Sequence, residues 1–162
     1  MLKKLHAHSV FTSWKKDHAK SFLAHVFKML DDANKDDWQV GFYNEDDTIT
    51  SFLLSKESVQ VMASENIFKK PDAKILPLDE SLLKLDLIKA LAKAEKIQAT
   101  EYSKEVPFKI IVIVQNLEGH GQVFNITYLT NSFKTLNMKI DTSTGKVVTT
   151  SLSALADFAP QK

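Results

Sequence analysis

Residues 108–150 read FKIIVIVQNLEGHGQVFNITYLTNSFKTLNMKIDTSTGKVVTT, and they decide the fold that we predict. Residues 108–114, FKIIVIV, are dominated by Ile and Val, which favours a strand with both faces at least partly covered. Residues 116–121, NLEGHG, are typical of a turn, because glycine adopts positive φ angles at little steric cost. Residues 122–130, QVFNITYLT, predict a second strand. Its expected core face carries Phe124, Ile126 and Tyr128.

The remainder of this stretch predicts two more strands joined by a tight turn. Residues 135–140, TLNMKI, alternate apolar and polar side chains, as a strand with one wet face does. Residues 141–145, DTSTG, place Asp at the head of a turn and Gly where a positive φ angle is often needed. Residues 146–150, KVVTT, predict the last strand. The whole stretch therefore predicts a meander of consecutive antiparallel hairpins.

Two segments resemble PepSY-type domains: the closing hairpin, residues 139–148 (KIDTSTGKVV), and the preceding helix, residues 86–97 (DLIKALAKAEKI). In that family a helix precedes the sheet, and a strand ends in an Asp that is followed by a short turn with a Gly. The resemblance covers residues 86–150, under half of the chain. It implies a domain that interacts with, and sometimes inhibits, a protein or peptidase partner. Members of the family are commonly extracytoplasmic, whereas this chain shows no export signal.

The first half of the chain has a weaker version of the same pattern. An apolar stripe predicts a helix over residues 14–34, with Ser13 as its N-cap and residues 1–13 as a loosely held lead-in. The stripe consists of Ala19, Phe22, Leu23, Val26, Phe27 and Leu30. Strands are then predicted over residues 38–44, 48–55 and 59–63. Both halves thus consist of a helix followed by strands, which raises the hypothesis of an internal duplication.

The chain has the length of one domain, and we expect residues 1–162 to form a single α+β domain. Two helices are expected to pack on an antiparallel sheet. The similar halves would span residues 14–65 and 80–150, joined by a proline-containing linker at residues 66–79. The second helix would end near Gln98, and its N-cap is either Ser81 or Asp86.

Composition excludes several classes of function. The 21 basic and 20 acidic residues nearly cancel, which gives no electrostatic reason to expect nucleic acid or an anionic membrane as a partner. Cysteine is absent, so a disulfide, a thiolate nucleophile and a cysteine zinc site are all excluded. No apolar run predicts a membrane span or a signal peptide. We therefore expect a soluble chain, cytoplasmic or, if a leader was removed, extracytoplasmic.

The histidines and acidic runs do not predict a metal site. His6 and His8 are two residues apart, but no carboxylate at ligand spacing accompanies them. On the predicted helix, His18 and His25 would lie too far apart to share an ion. The acidic runs lack the spacing of a calcium loop and are expected to be solvated. They occur at residues 31–32, 36–37 and 45–47.

Asp141 is the residue that most invites a catalytic interpretation, because it lies where a strand ends. We expect it instead to accept hydrogen bonds from its own turn. Ser143 has no identifiable histidine partner, and the four glycines form neither a phosphate-binding nor a dinucleotide-binding pattern. The sequence therefore assigns no catalytic, cofactor-binding or metal-binding residue.

Three functions follow from the sequence as hypotheses. The leading one is a non-enzymatic, PepSY-like regulatory module that binds a protein or an extended peptide at an exposed sheet edge. The first alternative is a small enzyme that uses His120 and Asp141 as acid and base. The second is a structural subunit that self-associates through an edge strand.

Overall fold

The computed structural model describes residues 1–31, 34, 36–67 and 74–155. The helices are α1 (Leu2–Ala7), α2 (Ser9–Asp17) and α3 (Leu87–Glu101), with a 3₁₀ turn at Glu80–Leu82. The strands are β1 (Phe22–Leu30), β2 (Trp38–Tyr43), β3 (Thr48–Leu54), β4 (Val59–Val61), β5 (Glu65–Asn66), β6 (Pro107–Leu117), β7 (Gly121–Thr130), β8 (Lys134–Asp141) and β9 (Val147–Ala154). The predicted α+β class and antiparallel sheet are confirmed, although the described residues contain three α-helices and not two.

The nine strands form one antiparallel sheet in the order β4-β3-β2-β1-β6-β7-β8-β9, with β5 also paired to β3. An apolar row crosses this sheet in register. From edge to edge it consists of Val61, Phe52, Val40, Val26, Val114, Phe124, Ile140 and Val147. Its six inner members are at most 5% exposed. The row defines the core face, and the buried residues of all three helices belong to the same core.

The central pair β1–β6 joins two meanders, and we call this pairing the seam. Residues His25 to Leu30 of β1 pair with residues Gln115 to Ile110 of β6. Read outward from the seam, the order is β1-β2-β3-β4 on one side and β6-β7-β8-β9 on the other. In each meander the first strand, which follows a helix in the sequence, lies at the seam. The helices cover one face, so the opposite face of the sheet has no helix over it among the described residues.

The single helix predicted over residues 14–34 is wrong, because α2 ends at Asp17 and Phe22–Leu30 form β1. Both faces of β1 carry apolar side chains: Leu23 and Val26 lie on the core face, whereas Phe27 lies on the uncovered face. Because apolar side chains occur on both faces of β1, a stripe with helical spacing can be found in its sequence. The spacing of apolar residues alone therefore does not distinguish a helix from a strand in this segment.

Residues 1–13 are not a loose lead-in. They contain α1 and the beginning of α2, and Leu5 is fully buried in the core. The N-cap of α2 is His8, whose Nδ1 accepts a hydrogen bond from the Val10 amide at 3.3 Å, so the assignment of Ser13 is also wrong. Residue 14, where the first half was expected to begin, lies inside α2.

The structure shows which residue caps α3, the second of the two predicted helices. Asp86 is the N-cap of α3, and its Oδ1 accepts a hydrogen bond from the Lys89 amide at 2.8 Å. Part of the predicted linker packs on the sheet, because Leu78 is buried and its amide donates to the Leu23 carbonyl. Residues 68–73 of the linker lie outside the described residues.

One close contact on the uncovered face depends on the register of β1 with β2. His25 is paired with Gly41, and a Cβ atom added at Gly41 would overlap the imidazole ring of His25. Burial lowers the pKa of His25 below its usual value, as expected for a ring packed on backbone. Glycine is required here by the close approach of the ring.

Replacing Gly41 with Ala is expected to lower the free energy of unfolding by about 1–3 kcal/mol, because the new methyl group displaces the ring. In a His25→Ala background the same replacement should cost much less. Urea unfolding of the four proteins measures this coupling as a double-mutant cycle. An equal cost in both backgrounds would contradict the contact.

Candidate functional site

The two edges of the sheet differ in how far they are protected from further strand pairing. At the first edge, β4 has three residues and β5 has two, and both pair with β3. At the second edge, β9 has eight residues and pairs only with β8 among the described residues. Short, interrupted edge strands protect a sheet from further pairing. The β9 edge lacks that protection.

The sequence of β9, VVTTSLSA, contains no charged residue and no proline. Charges and prolines are the residues that proteins commonly place on edge strands to prevent pairing. Its apolar side chains also remain partly accessible, with Val147 at 38%, Val148 at 36% and Leu152 at 37% exposure. The strand is therefore suited to accept another strand.

The uncovered face next to β9 holds a cavity of about 450 Å³. Thr127, Thr135, Asn137, Ser151, Ser153 and Leu155 line it. Asn137 is held in place, because its Nδ2 donates to Asn125 Oδ1 at 2.7 Å and to Thr127 Oγ1 at 2.9 Å. The hydroxyl groups of Ser151 and Ser153 have no hydrogen-bond partner among the described residues. The cavity thus offers uncharged hydrogen-bonding groups beside the β9 edge.

Exposed apolar side chains lie at the end of the sheet next to this cavity, and we call them the apolar rim. They are Val106, Phe108, Phe133 and Leu155. Phe133 is 77% exposed and has a φ angle of 57°, which is a strained conformation for a bulky residue. The Leu155 amide donates to the Phe133 carbonyl at 3.0 Å, which ties the rim to the end of β9. Strain of this kind is often retained at binding sites.

A buried carboxylate fixes the turn that carries Phe133. Glu105 accepts hydrogen bonds from Thr130 Oγ1 at 3.1 Å, from Ser132 Oγ and from Lys134 Nζ at 2.9 Å. The hydrogen bond from Ser132 and then that from Lys134 hold the pKa of Glu105 below its usual value. The sequence analysis missed Glu105, because a single Glu in a predicted loop gives no spacing signal.

Asp141 and His120 are not joined by any hydrogen bond or ion pair in the described part of the chain. Asp141 Oδ1 accepts hydrogen bonds from the amides of Ser143 and Thr144, at 3.0 and 2.6 Å, and from Thr144 Oγ1 at 2.8 Å. The turn role expected for Asp141 is confirmed. His120 lies in the β6–β7 turn between Gly119 and Gly121, both with positive φ angles. The structure gives this pair no acid–base geometry.

The remaining histidines have separate local contacts. His6 Nε2 lies 3.4 Å from Glu80 Oε1, and His18 Nδ1 lies 2.8 Å from the Trp14 carbonyl oxygen. His25 packs on the backbone of β2, as described above. Among the described residues, no three or more His, Asp or Glu side chains converge to hold a metal ion. The basic pair Lys69 and Lys70 lies outside the described residues.

Comparison with known proteins gives one informative likeness. The chain matches no family model and no curated protein. It is similar to the crystal structure of a putative lipoprotein from Clostridium difficile 630, at 11% sequence identity and a TM-score of 0.58. The alignment covers 89% of this chain and 90% of that chain. At this identity the likeness shows a shared fold alone. In the described ranges, no helix is both long and apolar enough to cross a membrane.

The Asp141→Asn variant tests the turn role of Asp141 through the pH dependence of the free energy of unfolding. Hydrogen bonds, chiefly from the Thr144 amide, hold the pKa of Asp141 below its usual value. Its charge therefore stabilises the fold above the carboxyl's unfolded pKa, and this contribution is lost as the pH falls through the folded pKa. The variant should be less stable than the wild type at about pH 7, and the difference should shrink by about pH 2.5. Urea unfolding at both pH values measures the difference in stability between the variant and the wild type. A difference that is the same at both pH values would contradict the turn role of Asp141.

Proposed function

We propose that this chain is a non-enzymatic binding module that receives an extended segment of a protein or peptide at the β9 edge. The observation that carries the proposal is the uncharged, proline-free edge strand of eight residues. An added strand would gain main-chain hydrogen bonds from β9, and its alternate side chains would contact the two faces of the sheet.

The surroundings of β9 support this mode of binding. On the uncovered face, Ser151 and Ser153 are in register with Asn137 and Thr135 and border the polar cavity. On the core face, Leu152 is in register with buried Leu136, so an apolar side chain of the added strand would extend the core. We therefore infer a partner segment that alternates apolar residues with uncharged polar residues.

We also propose that the chain is a PepSY-like domain. It is supported by the order of the second half, in which α3 is followed by a four-strand meander whose last turn carries Asp141 and Gly145. A family whose members interact with a protein or peptidase partner is consistent with an open edge in that half. The first half has the same order of helix and strands, which supports two related halves.

The proposal is tested by selecting peptides from a phage-displayed library on the immobilised wild-type protein. Enriched peptides should alternate apolar and polar positions. Their affinity should fall by about tenfold or more in Ser151→Lys, because a lysine on an edge strand disfavours further pairing. Gln60→Lys on β4 is the matched control, since it places the same charge on the opposite edge. Urea unfolding should show that both variants keep the wild-type stability.

Two results would contradict the proposal. The first is that no peptide is enriched, or that the enriched peptides bind Ser151→Lys as tightly as the wild type. The second is a solution mass of two chains in sedimentation that falls to one chain in Ser151→Lys. That result would favour self-association through β9, the structural-subunit alternative.

A further inference from the structure

Phe133 occupies a position in the β7–β8 turn where glycine would be more stable. Its φ angle of 57° lies in the left-handed region, which bulky L-residues rarely adopt. The turn between β8 and β9 also has a left-handed residue, and there it is Gly145, with a φ angle of 71°. The Phe133 amide donates to the Thr130 carbonyl at 3.0 Å, so the turn itself holds this conformation. The backbone therefore does not explain why residue 133 is Phe.

Packing does not explain Phe133 either. Its side chain is 77% exposed, and in the described part of the chain it is not among the residues that pack against the hydrophobic core. A large apolar side chain that stays in water and is held in a left-handed conformation contributes nothing to stability. Residues that are unfavourable for the fold are often retained where function needs them. Phe133 therefore points to a contact with a partner.

The apolar rim around Phe133 continues the β9 edge. Leu155 follows the last residue of β9, and its amide donates to the Phe133 carbonyl at 3.0 Å. On the other side of Phe133, the Asn131 amide of the same turn donates to the Val106 carbonyl at 3.0 Å. Val106, just before β6, and Phe108, within it, are each more than half exposed. The rim thus crosses the end of the sheet from β9 to β6, and a strand paired with β9 would meet it at one end.

The spacing of the strands gives the distance from such a paired segment to Phe133. Neighbouring strands lie about 4.8 Å apart, so a strand added beside β9 would lie about 10 Å from β8. The first residue of β8 directly follows Phe133. An extended chain advances about 3.3 Å per residue. A segment that leaves the β9 edge and crosses the end of the sheet therefore needs about three further residues to place a side chain on Phe133.

The charges beside the rim favour an apolar contact. Glu105 precedes Val106 in the sequence and Lys134 follows Phe133, and these two charged residues form an ion pair at 2.9 Å. The pair leaves no net charge to attract an acidic or a basic side chain. An aromatic side chain would gain most at Phe133, because a pair of rings adds to the gain from burial.

We propose that the apolar rim selects which segment binds at the β9 edge. The segment carries an aromatic or large aliphatic residue about three positions beyond its paired stretch, and this anchor packs on Phe133. The inference rests on the proposed function, because it needs a segment paired with β9. It adds a specificity determinant, which main-chain pairing alone does not supply. The continuity of the rim with β9 favours a peptide over a lipid surface, since a lipid would not use the edge.

The test uses the full chain and two synthetic peptides based on the sequences enriched in the library selection. One peptide keeps the large apolar residue that we expect at the same end of every enriched sequence, and the other has Ser in its place. The wild type should bind the first peptide about fivefold or more tightly than the second. Phe133→Gly should bind both peptides equally, with the affinity of the wild type for the Ser peptide. Isothermal titration calorimetry measures the four affinities.

Two further variants and one stability measurement serve as controls. Ile88→Ser should keep the preference of the wild type, because Ile88 is 80% exposed but lies on α3, on the helical side of the sheet. Phe133→Leu should keep most of the preference, because it retains an apolar side chain at the rim. Phe133→Gly should unfold at a higher urea concentration than the wild type, since glycine suits the left-handed conformation. Its loss of preference would then not be a consequence of unfolding.

The outcomes separate this inference from the proposed function. Enriched peptides that bind Ser151→Lys as tightly as the wild type would remove the proposed function and the inference with it. Peptides that are weakened by Ser151→Lys but lose the same affinity on Ser replacement in Phe133→Gly as in the wild type would overturn the inference alone. Equal binding of both peptides by the wild type, with binding to phosphatidylcholine vesicles that Phe133→Gly abolishes, would assign the rim to a lipid surface and also overturn it.

Discussion

The pairing of β1 with β6 is the constraint on which the rest of the structure depends. It brings together segments that are far apart in sequence, so the chain loses considerable entropy in forming it. Burial of the apolar row offsets that loss, because Val26 and Val114 meet at the seam with apolar neighbours on both sides. Without the seam, each meander would expose its most apolar strand as an edge. With it, only the outer strands remain available for further pairing.

The two outer edges that result are not equivalent. The first is divided between β4 and β5, whereas the second is the regular strand β9. The apolar rim and the polar cavity lie beside β9, and Glu105 holds the neighbouring turn in place through Thr130, Ser132 and Lys134.

Sequence patterns predicted the second half of the fold better than the first. The Phe124, Ile126 and Tyr128 face is buried as predicted, and Asp141 heads its turn, because alternation and turn chemistry are local signals. β1 was mistaken for helix, because it carries apolar side chains on both faces, so its sequence does not alternate between apolar and polar residues. The site was only partly predictable: an open edge was expected, but β9 extends beyond Thr150 to include Leu152 and Ser153. Which strand forms an edge depends on long-range pairing, which a local pattern does not report.

Amide hydrogen exchange along β9 in the free protein tests the central claim most directly. If β9 pairs with β8 alone, alternate amides of residues 149–153 point to solvent and should exchange much faster than the amides of β1 and β6 at the seam. Their neighbours, bonded to β8, should exchange slowly. Uniform protection of residues 149–153 would mean that the edge is already occupied, and it would contradict the account.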